Sequence, residues 1–119
     1  MLRFAGIWGA LAVLCGAFGA HLLRARLPPE LLVVWSTGAQ YHLIHAVALL
    51  GLALADRAGA PLLKLPYRLL AAGSILFSGS LYALALSGMR QFGAVTPVGG
   101  ILLVGGWVSI AFCARFRRS

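Results

Sequence analysis

Residues 31–55 read LLVVWSTGAQYHLIHAVALLGLALA and carry no formal charge. An α-helix rises about 1.5 Å per residue and a bilayer hydrocarbon core is about 30 Å thick, so this run is long enough to cross a membrane. Its centre carries four polar side chains, Gln40, Tyr41, His42 and His45. A polar group without a partner in hydrocarbon costs several kcal/mol, so each must face protein, water or a ligand. We therefore expect the specific role of the protein to involve this helix.

The rest of the chain shares this apolar character. Its 119 residues are 61% hydrophobic and 10% charged, and the mean hydropathy is +0.95. These values are typical of an integral membrane protein. Each span needs about 20 residues, so the chain has room for four spans and little else. We therefore predict an all-α, multi-pass membrane protein that is not an enzyme.

Four apolar segments are predicted to span the membrane in one domain over residues 1–119, at about residues 4–23, 38–55, 69–89 and 97–114. The start of the second span has two alternatives. One is a single long, tilted span from Leu31. The other, which we favour, is a short interfacial helix through Trp35 to Thr37 and a span from Gly38. Counting back about 20 residues from Asp56 reaches Ser36, close to this start, and Trp is common at the membrane interface.

Positive charges predict the orientation of the chain. The net charge of +8 comes from Arg and Lys at the ends of the apolar segments, where they anchor headgroups and do not indicate nucleic-acid binding. With four spans, both termini and the middle loop share one side. By the positive-inside rule that side is cytoplasmic, because it carries Arg3, Arg57, Lys64, Arg68, Arg115, Arg117 and Arg118, whereas the outer side carries Arg24, Arg26 and Arg90.

A second set of polar residues lies on the third span. Ser78, Ser80 and Tyr82 are about 14 to 20 Å from its cytoplasmic end, a depth similar to that of His45 on the second span. The matched depths predict a polar seam made of Gln40, Tyr41, His42, His45, Ser78, Ser80 and Tyr82. The seam either holds helices together or forms the path of a small channel or transporter. Helix packing is favoured, since both acidic residues of the chain lie at helix ends.

The histidines also allow a metal or haem site as an alternative. His42 and His45 are three residues apart and share a helical face, and imidazole is a common metal ligand. Two imidazoles do not complete a coordination shell. His21 comes near them only if the second span starts at Gly38. We therefore predict no metal and no cofactor, with a histidine site as the third hypothesis.

The outer side of the membrane offers candidates for an anionic lipid headgroup. Thr96 and Pro97 are typical of a helix start, and free amides at a helix start attract anions. The alternative is an ordinary capped helix. The headgroup candidates are His21, Arg24, Arg26, Arg90 and Thr96. Because four short helices enclose little space, we expect a homo-oligomer that acts by binding membrane lipids or a membrane-protein partner.

Four ordered motifs carry a family resemblance: GAFGAH at 16–21, WSTGAQYHxxH at 35–45, LFSGSLYALAL at 76–86, and TPVGG at 96–100 with Gly105, Gly106 and Trp107 after it. They resemble small bacterial inner-membrane proteins of unknown function represented by YgdD and YwdK, a family with a eukaryotic transmembrane relative. The resemblance covers nearly the whole chain. It implies a four-helix protein of the bacterial cytoplasmic membrane and no established activity. His42 departs from the pattern, since some members carry Gln there.

Overall fold

The computed structural model describes residues 1–116, which form four long helices joined by short turns. The helices are α1 (Leu2–His21), α2 (Pro29–Arg57), α3 (Lys64–Ser87) and α4 (Thr96–Phe116). Four helices are long and apolar enough to cross a membrane. The predicted fold class, an all-α membrane protein with four spans, is therefore confirmed. The cytoplasmic orientation stays a prediction, and Arg117 and Arg118, which support it, lie outside the described residues.

Helix α2 differs most from its predicted span. It begins at Pro29, which suits a first helical turn, and continues unbroken to Arg57. Gly38 does not interrupt the helix, because its missing side chain makes room for α3. A Cβ at Gly38 would lie 3.1 Å from the ring of Tyr82 and 3.2 Å from Leu81. The structure therefore has the continuous helix of the first alternative, and where hydrocarbon begins along it stays a prediction.

Helix α3 ends two residues before the predicted end of its span. Gly88 adopts a left-handed conformation with φ of 70°, and its N–H donates to the carbonyl of Leu84 at 2.8 Å. Glycine takes this conformation without steric cost and commonly ends helices in this way. A short turn over Arg90–Ala94 then leads to α4.

The helices form a flattened bundle of 54 × 26 × 16 Å. Helices α2 and α3 lie at its centre, while α1 packs on α2 and α4 packs on α3. Each outer helix also has one indole that reaches the central helix on which it does not mainly pack. Trp8 of α1 donates from Nε1 to Ser74 Oγ of α3 at 2.9 Å, and Trp107 of α4 donates from Nε1 to His45 Nε2 of α2 at 3.1 Å. These two hydrogen bonds supplement the packing of neighbouring helices.

Glycines bring α3 and α4 into close contact. A Cβ at Gly73 would lie 2.8 Å from the backbone nitrogen of Leu103, and one at Gly99 would meet the backbone nitrogen of Phe77. Small residues allow such an approach of backbones in membrane helices, where association depends on packing. These glycines therefore fix the distance between α3 and α4.

Candidate functional site

His45 uses both of its ring nitrogens inside the bundle. Nδ1 lies 2.7 Å from the carbonyl oxygen of Tyr41, and Nε2 lies 3.1 Å from the indole nitrogen of Trp107. A carbonyl only accepts and an indole N–H only donates, so the imidazole proton is on Nδ1 and Nε2 accepts from Trp107. His45 is therefore a neutral link between α2 and α4 in this arrangement.

His42 is buried and faces α1 and α3. Its side chain is 1% exposed, Nδ1 lies 2.9 Å from the Tyr82 hydroxyl, and its ring centroid is 4.0 Å from that of Trp8. The other nitrogen, Nε2, is buried without a hydrogen-bond partner within residues 1–116. Such an atom is costly, so the bond to Tyr82 provides the main polar compensation for this imidazole.

The serines of the predicted seam join three helices. Ser78 donates from Oγ to the carbonyl of Gly38 on α2 at 2.8 Å. Ser80 donates to the carbonyl of Phe77 at 2.9 Å and lies 2.6 Å from Oγ1 of Thr96. Because Ser80 has one proton, Thr96 is the donor in that second contact. The hydroxyls therefore connect α3 to both α2 and α4.

Gln40 and Tyr41 separate from the other five seam residues. Successive helical positions lie about 100° apart, so Gln40, which is two residues before His42 and five before His45, points away from both histidines. Tyr41 is four residues before His45 and lies at the edge of the inward face, with its ring 6.0 Å from that of His45. Tyr41 is 42% exposed and packs its ring 4.5 Å from that of Phe77. Gln40 is exposed and faces the region between α1 and α2. The predicted seven-residue seam is thus five inward residues and two on the outside of the bundle.

A groove of about 340 Å³ lies between the second half of α1 and the first half of α2. Gly19 and Trp35 form its buried floor, and a Cβ at Gly19 would lie 2.5 Å from the Trp35 ring. The indole is held by a 2.9 Å hydrogen bond from Nε1 to the carbonyl of Cys15. The lining residues are Gly16, Gly19, Ala20, Arg24, Leu32, Trp35, Ser36, Ala39 and Gln40.

Three polar side chains lie along this groove. Arg24 is exposed in the turn that follows α1, and Ser36 and Gln40 are exposed one turn apart on α2. Four-residue spacing puts Ser36 and Gln40 on the same helical face. Neither Ser36 nor the groove was predicted from the sequence. The available signal was the spacing of Gly16 and Ala20, which leaves one face of α1 without large side chains.

The predicted outer candidates do not form one site. Arg24 lines the groove, whereas Thr96 is hydrogen-bonded to Ser80 and the other three are exposed elsewhere, namely His21, Arg26 and Arg90. His21 is also distant from His42. The ring of His42 packs on Trp8, and Trp8 lies about 20 Å from His21 by helical rise along α1. In the described part of the chain, no three His, Cys, Asp or Glu residues group as metal ligands.

The bond between His45 and Trp107 gives a testable prediction. Replacing Trp107 by Phe removes the indole donor, so we expect the free energy of unfolding in detergent to fall by about 0.6–1.7 kcal/mol. His45→Ala should cost a similar or larger amount, and the double variant should cost less than the sum of the two. Strict additivity of the two losses would contradict this link between α2 and α4.

Comparison with known proteins identifies the family. Residues 15–100 match the model of a family described as protein of unknown function (DUF423). The chain is 44% identical to the UPF0382 membrane protein YwdK of Bacillus subtilis, over 87% of this chain and 86% of that protein. It is also 44% identical to the UPF0382 inner membrane protein YgdD of Escherichia coli K12, over 90% of this chain and 82% of that protein.

A third relative is the UPF0382 membrane protein SSP2132 of Staphylococcus saprophyticus, which is 39% identical over 84% of this chain and 83% of its own length. No solved structure matches the chain. The names of these relatives and the four apolar helices confirm the predicted resemblance and the predicted location in the cytoplasmic membrane. The chain therefore belongs to the DUF423 family of multi-pass membrane proteins of unknown function.

Proposed function

We propose that this protein is not an enzyme and that it binds a membrane lipid in the groove between α1 and α2. The observation that carries this proposal is the exposed amide of Gln40 in the groove. Gln40 lies about 16 Å along α2 from its first residue, in a helix about 43 Å long, so it lies within the membrane-spanning part. An exposed amide at this depth needs a hydrogen-bond partner from outside the bundle.

Arg24 favours a lipid over a second copy of the chain as the groove's occupant. Anionic lipid headgroups attract Arg and Lys side chains near the membrane surface. A two-fold symmetric dimer through the same groove would place two Arg24 side chains near each other, because both subunits use the same surface. Their repulsion opposes such a dimer. The homo-oligomer stays a prediction, like the membrane-protein partner, and we expect it to form through another face.

The inward polar residues support a channel or transporter less well. The ring nitrogens of His45 and the hydroxyls of Ser78 and Ser80 bond to other groups of the bundle. A conduction path through them would have to break these hydrogen bonds. Their arrangement is instead suited to holding α2, α3 and α4 together, which leaves the groove as the better candidate for an external ligand.

A matched pair of substitutions tests the proposal. Gly16 lines the groove, and a Cβ there would meet nothing within 4 Å. Gly16→Leu should therefore fill the groove without disturbing the helix packing. Gly6 is exposed on the same helix with the same open surroundings, so Gly6→Leu is the control.

We expect native mass spectrometry of the protein released with minimal detergent to detect bound phospholipid on the wild type and on Gly6→Leu. Gly16→Leu should retain about tenfold less phospholipid, which corresponds to a loss of about 1.4 kcal/mol of binding free energy. Equal lipid retention by the two variants would contradict the proposal. A second result would also contradict the proposal: the wild-type groove holds a second copy of the chain in place of lipid, and Gly16→Leu releases that copy.

A further inference from the structure

We infer that the groove binds a diacyl glycerophospholipid, with its phosphate on Arg24 and an ester carbonyl hydrogen-bonded by Ser36 or Gln40. This inference rests on the proposed function and names the class of ligand. The inference depends on the order of the polar groups along the groove. Arg24 lies at the end near the turn, and the hydrogen-bond donors Ser36 and Gln40 lie deeper. Small or apolar side chains line the groove beside them.

The depths of Ser36 and Gln40 bring their polar groups together. Their α-carbons are about 6 Å apart along α2, and helix side chains tilt toward the N-terminus. The longer Gln40 side chain therefore extends back toward the level of Ser36. Helix α2 starts close to the turn that carries Arg24. Along the groove from Arg24, Ser36 therefore comes first and Gln40 second.

The level of Ser36 corresponds to the part of the hydrocarbon core that is nearest to the lipid headgroups. Helix α2 is about 43 Å long against a hydrocarbon core of about 30 Å, so about 6 Å remains at each end when the helix is centred. Ser36 lies about 10 Å from Pro29 and hence about 4 Å inside the core. The ester groups of a phospholipid lie between its phosphate and its acyl chains, which is the same order as the groups of the groove.

The chemistry of the side chains matches that order. A guanidinium donates to phosphate oxygens through a planar fork. The Ser36 hydroxyl and the Gln40 amide both donate, whereas an ester carbonyl accepts and has no proton of its own. Free phosphate, a hydrated anion, would stay with Arg24 near the membrane surface, above the depth of Ser36 and Gln40. A hydrocarbon without esters would leave the Gln40 amide unpaired.

The experiment compares two lipids that differ in this one group. Delipidated protein is titrated with a diacyl phosphatidylglycerol and with the dialkyl ether analogue of equal chain length, and bound lipid is measured by native mass spectrometry. We expect the diacyl lipid to bind about tenfold more tightly, as one hydrogen bond in a desolvated site accounts for a factor of this size.

Variants assign the two interactions separately. In the double variant Ser36→Ala and Gln40→Leu, the preference for the ester lipid should disappear. Arg24→Gln should weaken both lipids by the same factor and keep their ratio. Arg26→Gln is the matched control, since Arg26 is an exposed arginine close to Arg24 that does not line the groove.

The outcomes separate this inference from the proposed function. Lipid binding that depends on Gly16 but does not distinguish ester from ether refutes the inference alone. Failure of both lipids to bind refutes the inference, and it refutes the proposed function as well when the phospholipid that is released with the protein does not depend on Gly16. Displacement of the lipid by millimolar inorganic phosphate would identify free phosphate as the ligand and overturn the ester contact.

Discussion

Gly99→Ala is expected to lower the free energy of unfolding in detergent by about 3 kcal/mol, at the upper end for overpacked sites. The added Cβ would meet the backbone nitrogen and α-carbon of Phe77, and backbone atoms of a helix cannot move aside as a side chain can. Relief requires that α3 and α4 separate along their whole contact. Unfolding by heat or by a denaturing detergent, followed by circular dichroism, measures the loss.

Gly105→Ala on the same helix is the matched control. A Cβ at Gly105 would meet nothing within 4 Å. Ala also favours helix over Gly by about 0.8–1.0 kcal/mol, so this variant should be as stable as the wild type or slightly more stable. Because both variants carry the same change in helix propensity, the difference between them isolates the contact with Phe77. Equal stabilities would contradict the close approach of α3 and α4.

Tyr82→Phe is expected to cost about 1–2 kcal/mol of unfolding free energy, because it removes the partner of a buried imidazole. His42 would then have two buried nitrogens without a hydrogen bond, since Nε2 has none within the described chain. The aromatic ring stays in place and continues to pack against Trp35, 4.4 Å away between centroids. The measurement is again unfolding in detergent.

Two further variants separate the lost hydrogen bond from other effects. Tyr41→Phe removes the same hydroxyl from an exposed tyrosine and keeps the ring on Phe77, so it should be near neutral. His42→Leu combined with Tyr82→Phe should be more stable than the sum of the two single losses predicts, because both polar partners are then absent. A Tyr82→Phe protein as stable as Tyr41→Phe would contradict the role of the His42–Tyr82 bond.

The sequence was sufficient to predict the number and class of the helices. Hydropathy over about 20 residues, Pro29 at a helix start and the charges between apolar runs all depend on local chemistry. The continuous course of α2 was less accessible, because Gly38 is compatible both with a helix end and with close packing. The deciding contact, with Tyr82, comes from residues more than forty positions away.

The candidate site was accessible only in part for the same reason. Depth along a helix follows from counting residues, so polar residues near the middle of the second and third spans could be predicted, but the contact of Ser78 is with Gly38 and not with His45. The direction of each side chain depends on how a helix is rotated against its neighbours. Gln40 and His42 are two residues apart, yet one faces the groove and the other faces Tyr82. The hydrogen bond between Trp107 and His45 spans 62 positions, which no local pattern specifies.

That long sequence separation also has a consequence for biosynthesis. Ribosomes add about 5–20 residues per second, so Trp107 is made about 3–12 s after His45. During this interval the nascent chain can insert its first helices, but Nε2 of His45 still lacks its donor. Release of α4 from the ribosome then supplies the missing N–H. The final helix is thus the one that completes the polar interior, and a chain truncated before it is expected to be a substrate for membrane proteases.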